Sequence, residues 1–473
     1  MKRKITELLT RWHSSNVRKP LVLRGARQVG KSTLVRLFAE EQGLDLLEVN
    51  LERHRDMDRI FAGLDAGVIL ANLEAVAGKR VGRRTLIFLD EIQAAPHALE
   101  ALRYFFEDRP ELPVVAAGSL LEFALSREAF SMPVGRVQYL FIQPMRFSEF
   151  LEVVDPSSLE WLESWDQEDV FPQEAHKRLL NRQREYLLVG GMPEAVKCFA
   201  ETRDFAAVAS IQNGILNTYV DDFSKYARQS DLADLQRLFR NLPLHLGKKT
   251  KYTHLLPDAA SAHSRKLLEL LIKSQVALPV YGSDCSGIPL RAGMNPRVLK
   301  LFFLDVGLVS RLLGQDWIDI QSQEERSLVN EGPLAEQFIA QHLYLDPSLE
   351  MPPELFYWLN ESKNANAEVD FVVSQGNLLV PVEVKAGKSG SLKSLHLFCG
   401  RRHLKHAVRF DLSQPSIQEI NTSVTDKKGS DLTSCYDLHS MPLYAVEKLP
   451  ELFKKIRLRA TRLQRDKEVA GDG

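Results

Sequence analysis

Residues 21–38 read LVLRGARQVGKSTLVRLF. Leu21, Val22 and Leu23 form a short apolar run, and Gly25 follows after one residue. Four residues later come Gly30, Lys31 and Ser32, then Thr33 and Leu34. Strand, glycine-bounded loop and helix start in this order are the pattern of a phosphate-binding loop. The chemistry explains the residue types. Gly25 and Gly30 let the backbone curl, so that the N–H groups of Ala26, Arg27, Gln28 and Val29 can point at phosphate oxygens. The helix that follows offers its positive end to the same anion. Lys31 is expected to reach the outer phosphates of ATP, Ser32 to ligate Mg2+, and Thr33 to line the nucleotide site.

Further on, residues 84–93 read RTLIFLDEIQ. Leu86 to Leu89 make a buried-strand run ending in Asp90 and Glu91. Acids at the carboxyl end of a core strand lie where open α/β sheets bind ligands. Asp90 is a candidate for the Mg2+ shell and Glu91 for orienting or deprotonating the attacking water. Alternatively, Asp90 caps the helix that starts near Pro96. The strand in LPVVAAGSLL (112–121) ends at Ser119, placed either to sense the γ-phosphate or to cap the next helix. Arg136, beside Gly135, is a candidate arginine finger, reaching most naturally into a neighbouring subunit. Arg27 and Arg146 compete for that role.

The chain's 473 residues call for about three domains. Apolar content of 44% and charged content of 26% are those of a globular protein. A net charge of −1 gives no global attraction to nucleic acid or membrane, so any such binding needs local basic patches. Cys198, Cys285, Cys399 and Cys435 are scattered without metal-ligand spacing, which suits a reduced, cytoplasmic setting. The N-terminus lacks the apolar stretch of a signal peptide. Ile5, Leu8, Leu9 and Trp12 instead share a helical face. No apolar run reaches the length of a membrane span.

The series Gly-Ala-Arg-Gln-Val-Gly-Lys-Ser, Leu-Asp-Glu-Ile-Gln, Ala-Gly-Ser, Gly-Arg-Val and Gln-Pro-Met-Arg-Phe-Ser-Glu-Phe resembles a group of bacterial and archaeal AAA+ ATPases. The likeness continues through Gly190-Gly191-Met192-Pro193-Glu194 and covers most of the chain. It implies ATP binding, hydrolysis, and a ring or other homo-oligomer, without a defined substrate. The expected order is a P-loop AAA+ ATPase core (1–150) and a helical lid (151–204). A helical, winged helix-turn-helix-like region (205–315), an α/β domain (316–447) and a basic C-terminal helix or tail (448–473) follow.

In the middle region, Ile211, Ile215, Leu216 and Val220 give one helix its apolar face, and Asp221 and Asp222 read as a solvated pair. The stretch 252–281 reads as helix, turn, helix, strand. Leu267, Leu268, Leu271 and Val276 are expected inside, and Ser264, Arg265, Lys266 and Lys273 outside. The second helix is a candidate for a DNA groove, although such bundles also serve as protein–protein spacers. Asp305, after a short apolar strand, reads as structural.

The last large segment carries a second acidic pattern. Leu334, Ala335, Phe338 and Ile339 give a helix its buried face, with Glu336 on the same helix. Glu368 and Asp370 share a face of a strand in AEVDFVV, and Glu383 and Lys385 share one in LLVPVEVKAG. Helix acid, hairpin, Asp, then Glu-x-Lys resembles the PD-(D/E)XK nuclease-like core, a restriction-endonuclease-like fold. That resemblance implies a second Mg2+ held by Glu336, Asp370 and Glu383, with Lys385 as the catalytic lysine. No proline precedes Asp370. Paired carboxylates on adjacent strands would hold a metal for phosphodiester cleavage. In the tail, Lys454, Lys455, Arg457, Arg459, Arg462 and Arg465 are candidate phosphate contacts, while Phe453, Ile456 and Leu463 fit a packed terminal helix. Two readings result, the first preferred and the second its alternative. One is an ATPase coupled to DNA cleavage; the other is an ATP-controlled DNA- or protein-binding switch whose nuclease-like fold does not cut.

Overall fold

The structure, a computed structural model, describes residues 1–119, 121, 123, 135–166, 169–315, 331–345, 353–362, 365–385, 391–425 and 431–459. It is built on two sheets. The first has five parallel strands: β1 (Leu21–Arg24), β2 (Asp45–Asn50), β3 (Thr85–Asp90), β4 (Val114–Ala117) and β5 (Gln138–Phe141), in spatial order β2-β3-β4-β1-β5. β3 is buried along its whole length, and β4 likewise, which is why both read as unbroken apolar runs rather than alternating ones. Because every strand points the same way, the residues after Arg24, Asp90 and Ala117 gather at one edge. The helix Thr6–His13 packs beside the sheet through Leu9 and Trp12.

A helical layer follows, made chiefly of Phe147–Val154, Pro156–Ser164, Gln173–Val189 and Pro193–Thr202. The helix Gln173–Val189 ends at Gly190 with φ +72° and is followed at once by Gly191. Both glycines are needed. A Cβ on Gly190 would lie 2.1 Å from Asp305 Oδ1, and one on Gly191 would lie 2.0 Å from the Met145 carbonyl oxygen. Asp305 is fully buried. It accepts from Gly191 N at 2.6 Å and from Leu308 N at 3.1 Å, the latter capping the helix Val306–Leu312. Burial pushes its carboxyl up to about 6, against the pull of those amides. Gly190→Ala is expected to cost about 1–3 kcal/mol through overpacking and backbone strain. The check is a lower midpoint in urea unfolding.

The middle helices are Phe205–Tyr226, Leu232–Asn241 and Ser261–Lys273. Asp204 caps the first, accepting from Ala206 N at 2.7 Å. Two expectations change here. Ser264 is fully buried, not outside: it lies three, four and seven residues before Leu267, Leu268 and Leu271, and so shares their face. Arg265, Lys266 and Lys273 are exposed. Asp222 is not solvated either. It is 5% exposed, on the face that buries Ile215 and Tyr219, while Asp221 faces out.

After this helix comes a hairpin of β6 (Ala277–Ser283) and β7 (Met294–Phe303). It does not stand free as a wing. β6 pairs in parallel with β8 (Leu355–Ser362), so the hairpin completes one flank of an eight-stranded sheet. The sheet therefore runs across the boundary expected at 315/316. Its remaining strands are β9 (Ala365–Gln375), β10 (Leu378–Val384), β11 (His406–Asp411), β12 (Ser416–Thr425) and β13 (Asp431–Pro442), in order β12-β13-β11-β10-β9-β8-β6-β7. β8, β9 and β10 form an antiparallel meander. β11 is parallel to β10, reached through the helix Lys393–Arg402. The helix Glu331–Tyr344 precedes β8 and packs on β7 and β10. Residues 449–459 are helical and bury Phe453 and Ile456, while Lys455 pairs with Asp166. Leu463, Arg462 and Arg465 lie outside the described residues. No helix among the described residues is long and apolar enough to cross a membrane.

Candidate functional site

The loop from Gly25 to Ser32 sits at the carboxyl edge of the parallel sheet. Gly25 has φ +149°, and a Cβ there would lie 2.1 Å from the Ile142 carbonyl oxygen; Gly30 has φ +91° and opens the helix Lys31–Glu41. That helix has no capping side chain and no acid in its first turn. Its leading amides are thus left for an anion.

Lys31 is buried. Its Nζ donates to the carbonyls of Gly25 at 2.9 Å and Ala26 at 2.7 Å, folding the ammonium back onto its own loop. Burial lowers its pKa to about 8, with Glu91 and Asp90 opposing the fall. A triphosphate needs the ammonium charged. Above about pH 8 the free protein must therefore take up a proton on binding, and ATP affinity is expected to fall by up to about tenfold per pH unit. Calorimetric titrations at several pH values, in buffers of different ionisation heat, read both the affinity and the proton uptake.

Ser32 Oγ donates to Asp90 Oδ2 at 3.0 Å. A hydroxyl and a carboxylate facing each other beside a phosphate loop are hard oxygen donors, and they fit a Mg2+ ion. Asp90 has its carboxyl raised by burial, with the Ser32 hydroxyl working the other way. Glu91 follows in the left-handed region at φ +54° and accepts from Gln93 Nε2 at 2.5 Å. Gln93 in turn lies against Gly118, where a Cβ would meet its Oε1 at 2.2 Å. Ser119 Oγ is buried without a partner among the described residues. Asp90 does not cap the helix starting at Pro96; Ala95 takes that place.

Arg136 is not part of this edge. It precedes β5, whose Gln138 pairs with Leu21 at the start of β1, so it sits at the opposite end of the sheet. There it donates to Glu107 at 2.9 Å. Arg146 pairs with buried Glu447 at 3.3 Å, and Arg27 pairs with Asp222. The chain therefore brings none of its three candidate arginines to its own phosphate position with a free head group.

The Arg27 pair belongs to a wider brace that sequence reasoning missed. Tyr219 OH donates to the Arg27 carbonyl at 2.8 Å, and Gln28 Nε2 donates to Thr218 Oγ1 at 3.3 Å. Three residues of the helix Phe205–Tyr226 thus hold the phosphate loop. From the other side, buried Arg3 donates to the Val29 carbonyl at 3.3 Å and to Glu149 at 3.0 Å. A second junction couples the halves of the chain: Glu447 accepts from Ser148 Oγ at 2.6 Å, and His342 Nε2 accepts from Phe147 N at 3.0 Å.

The C-terminal acids do meet, but around a residue the sequence reading left out. Lys300, on β7 and 1% exposed, places its Nζ 3.1 Å from Glu336, 2.5 Å from Glu368 and 3.1 Å from Asp370. Asp370 uses its other oxygen to accept from Val384 N at 2.9 Å. Burial works against the Lys300 charge, yet Asp370, Glu336 and Glu368 hold its pKa well above the ordinary lysine value. Glu336 and Glu383 are raised, by burial first and then by Asp370. Lys385 Nζ donates to Glu383 Oε1 at 2.5 Å. The buried Glu383 Oε2 lacks a partner among the described residues. The fit to a divalent ion is poor where Lys300 lies, since one ammonium already takes the shared position of three acids. The cue was a lone charge inside the apolar run Val298-Leu299-Lys300-Leu301-Phe302-Phe303, where lysine is rarely buried unless paired.

Comparison with known proteins divides the chain in three. Residues 17–151 match the family model of an AAA domain, 180–319 a domain of unknown function (DUF8612) and 331–424 another domain of unknown function (DUF4143). No curated protein matches. Among solved structures, the chain is similar to that of C. elegans PCH-2, with 13% identity and a TM-score of 0.26, covering 42% of this chain and 61% of that one. It is also similar to AMPPCP-bound DnaA from Aquifex aeolicus, with 10% identity and a TM-score of 0.25, covering 57% of this chain and 86% of that one. The chain thus spans less than two thirds of the PCH-2 chain. The N-terminal module is an AAA-type P-loop ATPase domain.

Proposed function

We propose that this chain is an ATP-controlled binding switch: its N-terminal module binds and hydrolyses Mg2+–ATP, and its C-terminal nuclease-like fold grips DNA or protein without cutting. The observation that carries the reading is Lys300, whose ammonium takes the centre of the acid cluster. The meander β8–β10, the crossover helix and parallel β11 support likeness to the PD-(D/E)XK core.

At the nucleotide site, Lys31 leaves the Gly25 and Ala26 carbonyls and pairs with the outer phosphates. Glu91, oriented by Gln93, holds the attacking water and takes its proton. Ser32 and Asp90 would hold a Mg2+ ion, which would supply charge neutralisation at the transferring phosphate. Nucleotide in the loop shifts the Arg27, Gln28 and Tyr219 contacts, which passes the state of the site to the helix Phe205–Tyr226 and onward. Arg136 is kept for a neighbouring subunit of a homo-oligomer.

The cutting alternative rests on the unpartnered Glu383 Oε2 beside Lys385. One assay separates the two. Purified chain is mixed with plasmid and Mg2+, with and without ATP, alongside Asp370→Ala and Lys31→Ala. The switch predicts intact plasmid throughout, with retention that depends on ATP and is lost in Lys31→Ala. Metal-dependent nicking abolished by Asp370→Ala would overturn it in favour of the nuclease.

A further inference from the structure

On the far side of the C-terminal sheet lies a group of side chains that the acid cluster does not use. β11 and β13 are parallel, with His406 opposite Asp437 and Val408 opposite His439. Alternation along each strand puts His406, Asp437 and His439 on one face. Glu383 is the register partner of Arg409, which points the other way, so the sheet separates these three from Glu383.

Their ligating atoms converge. His439 Nε2 is 3.4 Å from His406 Nδ1, and His406 Nδ1 is 3.6 Å from Asp437 Oδ2. All three atoms lie within 4.8 Å of one another. Imidazole nitrogens bound at about 2.0–2.1 Å to a tetrahedral zinc stand roughly 3.3–3.4 Å apart along an edge. The two measured separations are therefore close to those of neighbouring ligands on one ion.

We propose that His406, Asp437 and His439 form a binding site for a Zn2+-like divalent transition-metal ion, with the fourth position left to water.

Two further observations support the assignment. His439 is 4% exposed, so its Nε2 is withheld from bulk water and a bond to an ion there would offset that desolvation. Asp437 is half exposed at the mouth, which gives an ion a way in and adds the one negative charge. Two imidazoles and one carboxylate select a nitrogen-seeking metal over Mg2+ or Ca2+. The site thus differs in ligand preference as well as place from the Ser32–Asp90 pair.

The experiment titrates Co2+ into the full, untagged chain and follows visible absorption. Expected is the intense band of a four-coordinate nitrogen-ligated cobalt, saturating at a single equivalent, displaced by Zn2+ and unaffected by Asp370→Asn. His406→Gln and Asp437→Asn should each lose it, with thermal melts without metal like that of the parent. No intense band in the parent chain, or a band that survives in His406→Gln, would overturn the proposal and leave a histidine–histidine hydrogen bond beside an aspartate.

Discussion

Replacing Lys31 by alanine is expected to lower ATP turnover by about 10²–10³-fold, the scale found when one preorganised donor to a developing oxyanion is removed. Gly25 and Gly30 hold the phosphate loop in a curl that bulkier residues could not adopt, and the helix behind it leaves its first amides uncapped. Lys31 is the buried cation of that curl, resting on two carbonyls that bind it less strongly than a triphosphate would. Without it the amides still attract an anion, so binding weakens while turnover collapses. Glu91→Gln gives the complementary result: nucleotide is retained and turnover is lost, because the water goes unactivated while the phosphates stay gripped. Phosphate release measured beside nucleotide retention distinguishes the two variants.

Lys300→Ala is the second large effect. It leaves Glu336, Glu368 and Asp370 facing one another without their shared cation, in a place where Lys300 was 1% exposed. Removing one partner from a buried ionic group typically costs about 3–5 kcal/mol. For a unit the size of the C-terminal half that is a fall of roughly 6–20 °C in melting temperature. Scanning calorimetry with and without added Mg2+ checks it. Recovery of part of the loss by the ion would show that the lysine takes a cation's place; stability unchanged in Lys300→Ala would remove the reason for reading the cluster as caged.

What could be read from the chain divides along physical lines. Local chemistry was legible: the phosphate loop is contiguous, its glycines and lysine are fixed by backbone geometry, and the Asp90–Glu91 pair ends a strand with no polar residue between Leu86 and Leu89. Contacts between distant segments were not. Asp222 looked like any charge on a helix until Arg27, 195 residues earlier, came to rest on it. Lys300 stood 36 residues before Glu336 and 70 before Asp370, with no local periodicity to link them. Arg136 is a different case. A residue just before a parallel strand falls at the amino edge of the sheet, away from the ligand edge, so its position was already written in the order of the chain. The hairpin 277–303 could not be assigned to a wing or a sheet, because its apolar pattern is the same in either and only pairing with β8 decides.

The most direct measurement is a calorimetric titration of Mg2+–ATP into the intact chain. Saturable binding at one site per chain is expected, weakened in Lys31→Ala. A parent chain that takes up no nucleotide would contradict it.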